Sequence, residues 1–425
     1  MNKLTKIDQV IITFLVATVF FLRYIKPLYP EWYLIDLMIL IYVFFRMFNS
    51  KVGVNFGVVM SFYVLVLIIA INIINFGFGI NVIENLLMIF MPLTILVYMI
   101  YLKKSYEFIT LNLMALKFTK FLNIYFFINS AIITVQILTE SFMMERFIVL
   151  NPLIVDHMTG FIGLSGGNIL NFLWILTILF NLYFYLESKS ILRLLMLICE
   201  IIIMTLLSVA NDNKMFVVTL LVNIIMFLFV QIVKSGIQSV IMKRIIKIAV
   251  VAMVVFVALY KLSEDVSEGI ENVIHLVSNF FGAEYPDHHN ERAYLNYLAF
   301  HIYNADSLGI GINSVDLNNQ SIHPHLGINS ATFILIQGGL LYYISIVNFY
   351  SLIILELMAV RGAMKKIMLY VSIFLTILVA SYAAQPFRDH YLFIMLSLIY
   401  FVCYLSLNTT VHQKIKVEQN CHMNN

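Results

Sequence analysis

Long apolar runs recur along this sequence, and they limit what it can become more than any other feature. A helix needs about 20 mostly apolar residues to cross roughly 30 Å of hydrocarbon. Runs of this kind cover 8–25, 32–48, 54–75, 82–102, 119–138, 167–186, 191–209, 214–233, 245–262, 331–357, 366–384 and 391–407. The run at 32–48 is short and carries Asp36. Composition points the same way: 62% of the residues are hydrophobic and 12% are charged, against roughly 25% charged in a soluble domain. A membrane barrel would show alternating residues instead of continuous runs. The expected fold is an all-α polytopic membrane protein of about twelve transmembrane helices, forming a single integral membrane domain over 1–425. The first run has no small-residue cleavage site, so a cleaved secretory signal is not expected.

Charge then gives a direction. Cytoplasmic loops of membrane proteins carry an excess of Lys and Arg. With the N-terminus inside, the inner segments hold most of the basic residues, among them Lys3, Lys6, Arg46, Lys51, Lys103, Lys104, Lys243, Arg244, Arg361 and Lys416. The outer segments and their helix ends hold Arg23, Lys26, Arg146, Lys214, Lys261, Arg292 and Arg388. Acids gather outside, at Glu264, Asp265, Glu268, Glu271, Glu284, Asp287, Glu291, Asp306 and Asp316. This alternation predicts an even number of spans with both termini in the cytoplasm. The net charge of +3 is therefore an orientation signal and implies no nucleic-acid partner. Cys199, Cys403 and Cys421 make neither a disulfide framework nor a metal-type spacing.

Three connections are long: a basic inner one at 103–118, an outer one at 139–166 ending in Gly163, Gly166 and Gly167, and a polar outer loop at 263–330 between the ninth and tenth spans. The last is expected to be partly helical. Ile270, Val273, Ile274, Val277 and Phe281 form an apolar stripe at helical spacing over 268–281, suited to lying in the membrane interface. A second helix is expected over 291–304, with Asn290 as N-cap and Tyr294, Tyr297, Leu298 and His301 on one face. Gly309 and Gly311 break the chain, and Pro324 biases His323 towards an extended conformation.

Most residues able to do chemistry on something other than lipid fall in that loop. Arg292 offers a planar fork of donors that matches phosphate oxygens; a salt bridge to Glu291 is the alternative. His323 and His325 can titrate near neutral pH and act as general bases, or stand as surface histidines with no role. His288 and His289 add imidazoles, but there is no cysteine partner and no His-Glu-x-x-His spacing, so no metal is expected. Lys214, after Asn211-Asp212-Asn213, either snorkels to the interface or adds a cation for a lipid-linked phosphate. Arg388 pairs with Asp389 or faces the same cavity. Glu200 and Asp36 lie within spans, where acids are costly and face a cavity or a partner. Gly338-Gly339 are expected to allow close helix packing. No segment on the inner side is large enough for a nucleotide-binding enzyme site.

The outer loop resembles the O-antigen polymerase and ligase superfamily of bacterial surface-polysaccharide assembly. The resemblance begins at Arg292, with Tyr294 and Tyr297 following. It runs through Asp306-Ser307-Leu308-Gly309-Ile310-Gly311, similar to a Pro-Leu-Gly-x-Gly turn. It ends at Asn329-Ser330-Ala331-Thr332-Phe333 and Gly338-Gly339-Leu340. Lys214, preceded by Ser208, stands where the family often has a basic residue. There are two departures: Asp306-Ser307 replaces Asn-Pro, and Ile328 occupies the position of the family's histidine. His325, three residues upstream, is the imidazole taken in its place.

The resemblance implies a metal-independent glycosyltransferase that uses no cofactor. It would move a glycan from undecaprenyl pyrophosphate onto another lipid-linked repeat unit, at the outer face of the bacterial cytoplasmic membrane. Arg292, with Lys214 and Arg388, would hold the pyrophosphate; His325 or His323 would take the acceptor proton; Asn329 and Tyr294 would line the substrate site. The implied partners are the lipid-linked oligosaccharide, the bilayer and a chain-length regulator. A ligase of the same superfamily is one alternative, and a flippase or secondary transporter, favoured by Glu200, is another.

Overall fold

The computed structural model describes residues 5–21, 33–49, 55–90, 93–106, 108–139, 158–162, 167–210, 308–313, 330–358 and 362–383, with four further helical positions at Phe216, Leu220, Ile224 and Phe227. Among the described residues the secondary structure is helical, with no strand. The helices are α1 (Lys6–Phe20), α2 (Tyr33–Asn49), α3 (Phe56–Phe76), α4 (Ile80–Phe90), α5 (Leu93–Ser105), α6 (Phe108–Thr139), α7 (Gly167–Ser188), α8 (Ile191–Ala210), α9 (Ser330–Met358) and α10 (Ala363–Ala383). Phe56–Phe76, Leu113–Thr139, Ile191–Ser208 and Ser330–Met358 are long and apolar enough to cross a membrane. Leu37–Arg46 and Leu170–Tyr185 are shorter apolar stretches. The chain is thus an all-α protein with helices of membrane-spanning character. The spans expected at 245–262 and 391–407, nearly all of 214–233, and the two loop helices lie outside the described residues.

The helix ends follow local chemistry. Thr5 caps α1: its Oγ1 accepts from the Asp8 backbone N–H at 3.1 Å and donates to the Asp8 carboxylate at 2.6 Å, while its own backbone N–H donates to the Tyr106 hydroxyl at 3.1 Å. Asn55 caps α3 by accepting from Gly57 N at 3.0 Å, and Gly77 ends it at φ +84°. The run at 82–102, expected as one span, is divided into α4 and α5. Pro92 stands between them, and proline has no N–H to continue an α-helical ladder. The last-turn carbonyl of Ile89 is taken by the Tyr350 hydroxyl of α9 instead. The inner connection expected at 103–118 is mostly helix, because α6 begins at Phe108. Its 32 residues extend about 48 Å, well beyond the hydrocarbon of a bilayer.

Tertiary pairing fixes how the helices run. α3 and α9 are antiparallel: Asn72 bonds Gln337 near one end, and Asn348 donates to Ser61 at 2.9 Å further along. α5 packs on α9, where Lys103 donates to the Glu356 carbonyl at 2.7 Å and Lys104 pairs with the Glu356 carboxylate at 3.3 Å. α10 packs on α9, with Tyr370 donating to Asn348 and the Tyr343 and Ser381 hydroxyls bonded to each other. α6, α7 and α8 form a second group. α1 joins the two: Tyr125 of α6 donates to Phe20 O at 2.8 Å, and the Phe20 ring packs edge-on to Phe121 and Tyr125.

The surface of the described helices is unlike that of a soluble protein. Phe56, Tyr63, Leu67 and Ile74 of α3 and Ile191, Leu192, Leu195 and Leu206 of α8 are exposed, while Asn72, Asn85, Gln136, Asn181, Glu200 and Gln337 are buried. Large apolar side chains facing outwards match lipid as the surrounding medium.

Candidate functional site

The best-defined feature of the loop expected to carry the site is the turn at 308–313. Gly309 and Gly311 adopt φ +66° and +100°, in the region that disfavours residues with a Cβ. The turn docks on α9 where that helix is broken. Gly339 has φ 71° and ψ −175°, a conformation essentially confined to glycine. The Ile336 and Gln337 carbonyls, whose α-helical partners would lie beyond the break, accept instead from Ile310 N at 2.9 Å and Gly311 N at 3.1 Å. The contact leaves no room for side chains. A Cβ on Gly309 would stand 2.4 Å from Ile336 O, and one on Gly311 would stand 2.5 Å from the Phe76 ring.

Three asparagines of α3 and α4 hold this turn. Asn72 donates to Leu308 O at 3.0 Å and to Gln337 O at 3.3 Å, and accepts from Ile312 N at 2.8 Å. One buried amide therefore grips both the turn and the broken helix. Asn85 donates to Ile312 O at 3.0 Å, and Asn81 donates to Asn313 O at 3.1 Å. Inside a membrane protein, irregular backbone persists only where its polar groups are satisfied by protein or water, and these amides meet that requirement. Gly338-Gly339 thus do more than permit close packing: the Tyr342 ring lies against Gly338, and Gly339 creates the break.

The same device recurs in the outer connection expected at 139–166. Gly160, at φ +65°, donates its N–H to Gln136 at 2.9 Å, and Phe161 N donates to Asn129 at 2.9 Å. Amides on α6 hold that turn as amides on α3 and α4 hold the other. Asn72, Asn85, Asn129 and Gln136 were not singled out from the sequence. Their signal was available, as carboxamides inside otherwise apolar runs.

Glu200 of α8 is fully buried. Asn181 of α7 donates to its Oε2 at 2.7 Å and bonds Asn123 of α6 at 2.8 Å. The expectation that Glu200 faces a partner is met by Asn181, which is itself bonded to Asn123 of α6. At the opposite end of α1 to Phe20, the buried Asp8 receives hydroxyls from Tyr98 at 3.2 Å, from Tyr42 at 3.4 Å and from Tyr106. Burial and the bond to Asp8 hold the Tyr106 phenol above its ordinary range.

Arg292, Tyr294, His323, His325, Asn329, Lys214 and Arg388 lie outside the described residues, as does the Asp36 side chain. In the sequence, His323, His325 and Asn329 fall between Asn313 and Ser330, two positions that the fold places at the same end of α9. Among the described residues no group of three or more His, Cys, Asp or Glu is arranged to hold a metal ion.

No protein-family model, curated protein or solved structure matches this chain.

Proposed function

We propose that this protein is a polymerase that joins lipid-linked oligosaccharide repeat units into a surface polysaccharide at the outer face of a bacterial cytoplasmic membrane. One observation carries the reading. Leu308-Gly309-Ile310-Gly311 and Gly338-Gly339-Leu340, two of the segments that carry the resemblance, meet in the fold: Gly309 lies against Gly338 and Gly339, and the turn bonds the Ile336 and Gln337 carbonyls just before them. The residues between them include the histidines and the asparagine that the reaction requires.

In this reading the acceptor sugar hydroxyl attacks the anomeric carbon of the donor glycan. The bond from that carbon to the pyrophosphate oxygen breaks as the new glycosidic bond forms, and undecaprenyl pyrophosphate leaves. Arg292, with Lys214 and Arg388, stabilises the charge developing on the leaving group. His325 or His323 takes the hydroxyl proton. Asn329 and Tyr294 orient sugar hydroxyls and rings. The reaction draws on the pyrophosphate bond already in the donor and is balanced without nucleotide or metal.

In a strain dependent on this protein, Arg292→Ala and His325→Ala each abolish long polymer while single repeat units persist. Unaltered chain lengths in both variants, at normal protein levels in the membrane, would overturn the reading.

Glu200, buried between α6, α7 and α8, favours a second reading as a flippase or secondary transporter, in which an intramembrane acid carries a proton or ion. Deletion separates the two: a lost transporter strands repeat units on the inner face, and a lost polymerase leaves them on the outer face.

A further inference from the structure

Asn72 makes both halves of its amide work at one point. Its nitrogen reaches the Leu308 and Gln337 carbonyls, its oxygen takes the Ile312 N–H, and the side chain is 1% exposed. A serine could not span these three partners, and an apolar residue would take this partner from the Leu308 carbonyl and the Ile312 N–H, while Gln337 O keeps Gly311 N–H. Asn85 and Asn81 each secure only one further carbonyl of the turn.

We propose that Asn72 is a positioning residue that latches the 308–313 turn to the break in α9, and so fixes Leu308 and Asn313, the two points from which the chain continues into the rest of the loop. The latch follows from geometry alone. Its importance for polymer growth rests on the polymerase reading given above.

The latch can be read without any substrate. Ile312 is fully buried, so in a chain whose native cysteines are replaced by serine, Ile312→Cys reacts with a membrane-impermeant maleimide only when the turn lifts. Adding Asn72→Ala is expected to raise the labelling rate about tenfold, because a buried donor–acceptor group is removed. Asn72→Asp keeps the acceptor for Ile312 N and loses both amide donors. As a near-isosteric change it gives a second measurement if the alanine variant does not accumulate.

A tether supplies the rescue. A Cβ at Gly79 would lie 3.1 Å from Asn313 Cγ, so Gly79→Cys with Asn313→Cys is placed for a disulfide. In the Asn72→Ala background this pair is expected to restore polymer when oxidised and to lose it again on reduction. Labelling at the parent rate in both Asn72 variants would overturn the latch. A polymer defect that the oxidised tether does not relieve would overturn the positioning role. Failure of the polymerase reading itself shows separately, as unaltered polymer in the Arg292 and His325 variants.

Discussion

At the scale of single residues, amides and glycines carry the structure. Gly309 and Gly362 separate two effects that are usually mixed. Both have positive φ, but a Cβ on Gly309 would meet backbone on three sides, whereas one on Gly362, at φ +98°, meets nothing within 4 Å. Gly362→Ala is expected to cost only backbone strain, about 1–2 kcal/mol. Gly309→Ala must in addition undock the turn, so it should lower the thermal midpoint in detergent by a clearly larger margin. Glu200 gives a second residue-scale test. Asn181→Ala removes a donor to a buried carboxyl and is expected to cost about 1–3 kcal/mol, measured in the same thermal assay. Glu200→Gln keeps the shape and an acceptor oxygen, so the polymerase reading expects polymer to persist. Loss of all polymer, with repeat units left on the inner face, would move the assignment to the transporter. Of these residues, Glu200 was legible as an intramembrane acid needing a partner. Which amide would meet it was not legible, since Asn181 lies on a separate helix and meets it only through packing.

At the scale of elements, the informative cases are a helix that is divided and a helix that is broken. Pro92 could be read from the sequence as an interruption, yet 82–102 reads as one run because hydropathy ignores the missing N–H. The break in α9 was harder to see. Gly338-Gly339 suit close packing as well as a break, and only the N–H groups of Ile310 and Gly311, arriving from a remote segment, make the broken form stable. Gly339→Ala tests this directly. A Cβ is strongly disfavoured at φ 71° and ψ −175°, so the variant should straighten α9, release the turn and speed maleimide labelling at Ile312→Cys. Labelling at the parent rate would show that the break does not depend on glycine. The surface pair Lys104–Glu356, about a fifth exposed on each side, is expected to matter far less, within about 1 kcal/mol when Lys104 is replaced by Ala.

At the scale of the whole molecule, the apolar exterior of the described helices points to lipid as the surroundings. Leu67 lies in the middle of α3 and is 61% exposed. Leu67→Arg would be nearly silent on a water-facing surface. At the centre of a membrane-spanning helix it costs about 2.5–3.5 kcal/mol, so the amount of protein recovered in the membrane fraction should fall sharply. Recovery at the parent level would place that face in water. Lys103, Lys104 and Glu356 gather at one end of α9, while the glycine turn docks towards the other.

The sequence by itself determined the class of fold, because runs of about 20 apolar residues leave few options once the backbone must satisfy itself in hydrocarbon. It also marked Gly309 and Gly311 as a break in the chain, and Gly338-Gly339 as a place of close helix packing. Only the tertiary structure decided that these two places are one. Each glycine segment exposes backbone polar groups that a membrane interior cannot satisfy, and neither carries the means to pair them alone. Asn72, more than 200 residues before the turn, completes the set.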